Sequence, residues 1–167
     1  MYRPIARTFA IAATAILCGC RVTAPGRVET NVVDWTKRNI TVKGKYDHNP
    51  ISSSTEKIEN GKRIFAFYCV VCHGRDGQNT GVPFANTLSP PIPSLSSTHV
   101  QAYTDGQLKW IVENGIAPSG MPASKGILSD EDMWTIVLYL RNLPPAGSLG
   151  EPKAYTEDEY ENSSGTR

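Results

Sequence analysis

Apolar and polar positions divide the 167-residue chain into four stretches. After Arg3 and Arg7, residues 8–17 ("TFAIAATAIL") form an uncharged apolar run of ten. A basic start before a run this short reads as an export signal over residues 1–19, too short to span a bilayer as a mature helix. Residues 20–55 lack a sustained period and read as a tether; only "NITVKGKY" (39–46) alternates enough to predict a short strand. Residues 56–145 hold the regular patterns. Residues 146–167, acidic and poor in apolar side chains, predict a disordered tail.

Within 56–145 the spacing predicts three helices, hence an all-α domain. In "STEKIENGKRIFAFYC", Ser54 or Thr55 is the candidate N-cap, and Ile58, Phe65 and Tyr68 fall on helical spacings. "TDGQLKWIVENG" is capped by Thr104, buries Leu108, Ile111 and Val112, and stops at Gly115. "SDEDMWTIVLYLRNLPP" opens on a capping box of Ser129 with Asp132 and ends before Pro144 and Pro145. A long loop rich in Gly and Pro follows the first helix. Loops of that length are suspect unless they wrap around something.

Composition narrows this only a little. Hydrophobic content of 40% and charged content of 20% are ordinary for a soluble globular domain. A formal charge of +1 argues against a nucleic-acid partner. Residues 56–150 carry seven basic and eight acidic side chains, so no strong docking field emerges. The tether is more basic, with six basic and three acidic residues. As a flexible coil it would span about 30–35 Å, enough to hold a domain just off a membrane.

The cysteines change the picture more. "LCGC" (17–20) resembles a bacterial lipobox, which implies cleavage before Cys20 and acylation of that residue. Cys18 stands where a small residue is usual; the alternative is a plain secretory signal. Of four cysteines, Cys18 is then discarded and Cys20 lipidated, leaving Cys69 and Cys72 in "YCVVCHG". Zinc would need four ligands, and the mature chain offers no second cysteine pair, only His48 and His99 far off at irregular spacing. A thioredoxin-like dithiol sits at a helix start after a strand, whereas here a helix precedes the pair. A disulfide across so short a loop would gain little. The remaining reading of Cys-x-x-Cys-His is c-type haem attachment, with two thiols added to the vinyl groups and His73 placed to bind iron.

From this motif through the last helix, about residues 56–145, the chain resembles the class I monohaem c-type cytochromes. The resemblance implies one covalent haem c, wrapped by three or more helices, with an N-terminal tether and a tail outside that fold. Gly61 and Phe65 would cross Ile136 and Tyr139 where the terminal helices meet, Gly61 allowing close approach and the aromatic rings filling the groove. Met121, in "APSGMPASKG" 48 residues after His73, would be the second axial ligand, while Met133 would be core. His99 and His48 are rival ligands that read better as surface histidines. A proline carbonyl would accept a hydrogen bond from the other nitrogen of His73; Pro90, Pro91 and Pro93 are candidates, Pro91 foremost. Trp110 and Trp134 read as core.

A His/Met-ligated iron has no open position for substrate and exchanges one electron with little rearrangement. The resemblance therefore implies an electron carrier rather than an enzyme, lipid-anchored on the periplasmic side of a bacterial membrane. Its partners would be redox proteins: a membrane respiratory complex, or a dehydrogenase or oxidase. One alternative is the cytochrome subunit of such a dehydrogenase, quinol-oxidising complex or terminal oxidase. Another, should Met121 be labile, is a peroxidase or gas-sensing haem protein.

Overall fold

A computed structural model describes residues 26–117 and 119–153. The expected signal segment, Cys20 and residues 154–167 of the expected tail lie outside the described residues. The chain forms two units, residues 1–35 and residues 36–167.

The first unit contributes α1 (Arg27–Thr36). The Gly26 carbonyl accepts from the Thr30 N–H at 2.9 Å and the Thr30 hydroxyl at 3.0 Å. Glu29, in the first turn, accepts from the Gly26 N–H at 2.9 Å. A glutamate reaching back to the N–H before the helix is half of a capping box, so this start is locally encoded.

The second unit starts with a π-helical turn, Lys37–Thr41, rather than the expected strand. The Val42 N–H closes it onto the Lys37 carbonyl at 2.8 Å, and Gly44 then turns the chain at φ 80°. The alternating residues 39–46 have no neighbouring strand to pair with, so their backbone groups find helical and turn partners instead. Nor are residues 37–49 a free coil. The buried Gln107 amide donates to the Arg38 carbonyl, and the Arg38 guanidinium lies 5.6 Å above the Tyr103 ring. Asn49 Nδ2 donates to the Trp134 carbonyl at 3.0 Å. Residues 37–49 thus belong to the compact unit that runs from residue 36.

The helices that follow are α2 (Thr55–Tyr68), α3 (Val70–His73), α4 (Thr98–Gln101), α5 (Asp105–Asn114) and α6 (Asp130–Leu140). Ser54 caps α2 by accepting from the Lys57 N–H at 3.2 Å. Thr104 with Gln107 and Ser129 with Asp132 form complete capping boxes on α5 and α6. Extended pairing among the described residues is limited to isolated bridges, Ile116 with Met121 and Lys125 with Leu128.

The core sits where α2, α5 and α6 meet. Every residue from Met133 to Leu140 is buried, the mark of a helix enclosed on all sides. Phe65, Val112, Leu128, Met133, Ile136, Tyr139 and Leu140 make one cluster; Val100, Tyr103, Leu108 and Val137 make a second. Leu95, from the long loop, packs against both. At the α2–α6 crossing, a Cβ on Gly61 would lie 2.3 Å from the Thr135 carbonyl oxygen, so only glycine lets the backbones approach this closely. The Phe65 and Tyr139 rings pack beside it, centroids 5.3 Å apart and tilted by 59°. Met133 and Trp134 are core residues as expected, and Trp110 is half-buried.

Arg141, just past α6, joins the two sides of the domain. Its guanidinium donates to Asp105 Oδ1 at 2.8 Å and to the Gln101 backbone and side-chain oxygens at 3.0 and 2.9 Å. It also donates to the Tyr103 carbonyl. One side chain thus ties the segment between α4 and α5 to the end of the central helix, with a fork geometry only arginine provides.

Candidate functional site

The Cys-x-x-Cys-His motif lies at a break between two helices. Cys69 ends α2 with φ −116°, its N–H still bonded to the Phe65 carbonyl at 2.8 Å. The Cys69 carbonyl then accepts from the N–H groups of Cys72 at 3.2 Å and His73 at 3.0 Å, winding α3 as a single turn. Gly74, at φ 72°, stops it. Cys69 is partly buried against the core cluster and Cys72 is exposed. Burial, and then the neighbouring Cys72, pushes the Cys69 thiol up to about 12.

His73 packs against the core, its ring 6.4 Å from that of Phe65. Burial lowers its pKa to about 4, so the imidazole is neutral at pH 7 and keeps a lone pair for a metal. Its Nδ1 is buried without a hydrogen-bond partner among the described residues. Pro91, the residue expected to accept a bond from it, is exposed. In that segment the Ile92 carbonyl accepts from Asn79 Nδ2 at 2.8 Å. Asn79 itself sits at φ 63°, donates its N–H to the His73 carbonyl at 2.9 Å, and buries an unpartnered Oδ1.

The loop after α3 is organised by Asp76, which has no exposed surface. Its Oδ2 accepts from the Thr80 hydroxyl and the Gly147 N–H, both at 2.6 Å. Its Oδ1 accepts from the Gln78 N–H at 2.9 Å. Burial alone would raise the carboxyl's pKa, but these bonds outweigh it and hold the pKa below its ordinary value. Gln78 adds a second clasp, donating to the Pro144 carbonyl at 2.7 Å. The Tyr139 hydroxyl donates to the Arg75 carbonyl at 3.4 Å, and burial, then Asp76 and Glu59, raises its pKa and keeps it a donor. Asp76, Gln78 and Asn79 were not singled out from sequence. The available signal was an acid placed three residues after the histidine, in a stretch whose backbone needs anchoring.

Met121 stands on a separate loop and is half-buried. The Ile116 N–H donates to the Met121 carbonyl at 3.2 Å. The Met121 N–H meets Ser119 Oγ at 3.5 Å, and the Ser119 hydroxyl in turn donates to the Ile116 carbonyl at 2.6 Å. Beyond Met121, Ser124 and Lys125 N–H groups bond the carbonyls of Val112 and Glu113 at 3.1 and 3.0 Å. Gly115 makes this return possible: at φ 67° it suits glycine, and a Cβ there would lie 2.5 Å from the Met121 carbonyl oxygen. Val112 and Phe65 belong to one core cluster, so the loop of Met121 and the turn of His73 are fixed to the same body. His99 is engaged elsewhere, Nδ1 lying 3.3 Å from an Arg38 guanidinium nitrogen, and His48 is exposed.

No cluster of three or more His, Cys, Asp and Glu side chains among the described residues could cage a metal. Two thiols and a neutral imidazole on one turn fit instead a group that brings most of its own ligands and needs tethering plus an axial donor. The protein class this fold and motif define is a c-type cytochrome domain. Residues 56–140 match the family described as cytochrome c oxidase, cbb3-type, subunit III, and the chain belongs to that family. It is a class I monohaem c-type cytochrome, with one covalently bound haem c.

Cytochrome c6 of Bumilleriopsis filiformis is 34% identical over 83 residues, covering 50% of this chain and 87% of that protein. Thiosulfate dehydrogenase of Stutzerimonas stutzeri is 33% identical over 86 residues, 51% of this chain and 27% of the relative. Quinohemoprotein alcohol dehydrogenase ADH IIB of Pseudomonas putida is 25% identical over 91 residues, 54% of this chain and 12% of the relative. This chain thus matches only a minor part of the two dehydrogenases, and the whole length, nearly, of the small cytochrome.

Proposed function

We propose that this protein is an electron carrier whose haem c would be tethered by Cys69 and Cys72, with His73 and Met121 as the side chains that would bind its iron. The observation that carries the reading is the Cys69–His73 turn itself, which sets two thiols and a buried imidazole on one short turn. The group supplies one-electron exchange at iron when bound. The chain's own residues do the rest. Burial keeps His73 unprotonated, with the Phe65 ring 6.4 Å from its own. Asp76 and Gln78 fasten the loop after the motif to residues 144 and 147, fixing the wall around it. The hydrogen bonds from Ser124 and Lys125 to α5 hold the Met121 loop in one shape, which would keep its sulfur available as a donor to iron.

Cys20, as the acylated residue, would keep the carrier on the periplasmic face of a bacterial membrane, beside a respiratory complex, dehydrogenase or oxidase. No helix among the described residues is long and apolar enough to cross a membrane, so a lipid at Cys20 is the anchor this reading needs. A second reading, a subunit of a larger membrane complex, is favoured by the family, described as an oxidase subunit, and by the two relatives in which the match is a small part of a dehydrogenase.

An equilibrium redox titration of the holoprotein, with and without carbon monoxide, tests the carrier reading. The expected result is a single one-electron transition and a ferrous spectrum that carbon monoxide leaves unchanged. Rapid binding of carbon monoxide would reveal an open iron position and sink it. Co-purification of the haem with a fixed set of membrane polypeptides would favour the subunit reading.

A further inference from the structure

The helix α1 (Arg27–Thr36) takes no part in the site described above. Val28, Val32 and Trp35 recur along it at i, i+4 and i+7, which places them on one stripe. They are 75%, 58% and 60% exposed. Thr30 falls on the opposite side and Val33 lies off the stripe. The stripe extends about 10 Å along the helix axis at 1.5 Å per residue. It combines aliphatic side chains with a tryptophan, the residue type that favours the boundary between lipid and water.

Chain length says what could cover it. Only residues 21–26 separate Cys20 from Arg27. Fully extended, that link reaches about 25 Å. An acylated Cys20 would therefore confine α1 to the immediate neighbourhood of the lipid surface. The residues that follow α1 in sequence are basic, with Lys37, Lys43 and Lys45 exposed, as suits an anionic leaflet. A stripe of three apolar residues binds lipid weakly by itself, but a tether this short raises the effective lipid concentration at the helix greatly.

We propose that α1 is an interfacial helix, laying Val28, Val32 and Trp35 on the bilayer to which Cys20 anchors the chain. The inference rests on the lipid-anchor reading above. It adds that the anchor is not a loose string: the helix lies in the membrane plane and fixes where residue 36, the start of the haem-bearing unit, leaves the lipid surface.

The test uses the mature, acylated holoprotein reconstituted in vesicles of phosphatidylethanolamine and phosphatidylglycerol. With Cys69 and Cys72 in thioether bonds and Cys20 acylated, a cysteine introduced by Val32→Cys or Thr30→Cys is the single free thiol and takes a nitroxide label. Both positions are exposed; because Thr30→Cys loses the hydroxyl bond to the Gly26 carbonyl, circular dichroism checks that each variant keeps its helix content. Collision with oxygen, which concentrates in lipid, is compared with collision with a water-soluble nickel complex. The ratio should be severalfold higher at position 32 than at position 30. Flotation of haem absorbance with the vesicles reads the anchor separately. If the haem floats and both labels are equally open to nickel, α1 does not lie on the lipid and the inference fails while the anchor stands. If the haem does not float, the anchor reading fails and takes the inference with it. Protection of position 32 from both colliders, seen only in native membranes, would also overturn it, in favour of a protein partner.

Discussion

The two sides of the candidate haem site are built by different means. The Cys69–His73 turn grows out of a helix end and is pressed onto the core by Phe65 and Tyr139, beside a backbone contact at Gly61 that no other residue allows. No described residue from Ile116 to Ser124 belongs to the core clusters. Backbone hydrogen bonds to Val112 and Glu113, and the left-handed turn at Gly115, give it its shape. Side-chain packing resists displacement because interiors are close-packed, and deforming them costs contacts on every side. A hydrogen-bonded loop opens more locally and at lower cost. On this account the thiol and histidine side belongs to the folding core, whereas the methionine side is the adjustable one.

The largest expected effect comes from breaking the packed side. Phe65→Ala removes the ring between Tyr139 and His73 and should cost about 3–5 kcal/mol in urea unfolding of the holoprotein. Equal loss in stability from a substitution confined to the Met121 loop would erase the proposed contrast.

Asp76→Ala comes next. It leaves the Thr80 hydroxyl and the Gly147 and Gln78 N–H groups without their carboxylate, and should cost about 2–3 kcal/mol. The pH dependence has a definite sign. Because the folded pKa lies below the ordinary 3.8, the carboxylate's contribution is fully present above that value and is lost as pH falls through the lower folded pKa. Acid unfolding of the wild type should therefore steepen below about pH 4. The same titration on Asp76→Asn should lack that extra slope; an unchanged acid limb would remove Asp76 from the account.

Gly115→Ala tests the adjustable side. The left-handed turn strains an alanine by about 1–2 kcal/mol, and its methyl would press on the Met121 carbonyl. The expected signature is a modest loss of stability with a weakened sulfur-to-iron absorption band, read in one thermal melt followed optically. A full-strength band persisting to the global transition would mean the loop does not depend on this glycine.

Much of this contrast was legible in the sequence because the packed side is encoded locally. Ser54, Thr104 and Ser129 announced their helices, and the spacing of Gly61, Phe65, Ile136 and Tyr139 marked the crossing. The N-terminal segment was less legible. Val28, Val32 and Trp35 carry a helical period, but over so short a segment a period of three residues reads as noise. Residues 39–46 alternate like a strand, and only the missing neighbour decides against one. The contacts of Asp76 with Gly147, and of Arg141 with Gln101 and Tyr103, join residues far apart in sequence, which no local pattern can announce. Nor could the sequence say which carbonyl His73 Nδ1 would meet. Which groups face His73 depends on how the whole loop from Gly74 to Leu95 is folded, and the Ile92 carbonyl there is taken by Asn79.

The smallest effect on stability and the sharpest test of the site come from Met121→Ala. Met121 is half-buried on a loop, so truncation should cost about 1 kcal/mol or less in global stability. The optical result should be large. In the oxidised wild type, the weak long-wavelength band of a sulfur-to-ferric-iron bond should be present, and it should vanish in Met121→Ala while both thioether bonds survive denaturation. A wild type without that band, or a variant that keeps it, would contradict the assignment of His73 and Met121 as the two residues that close the site.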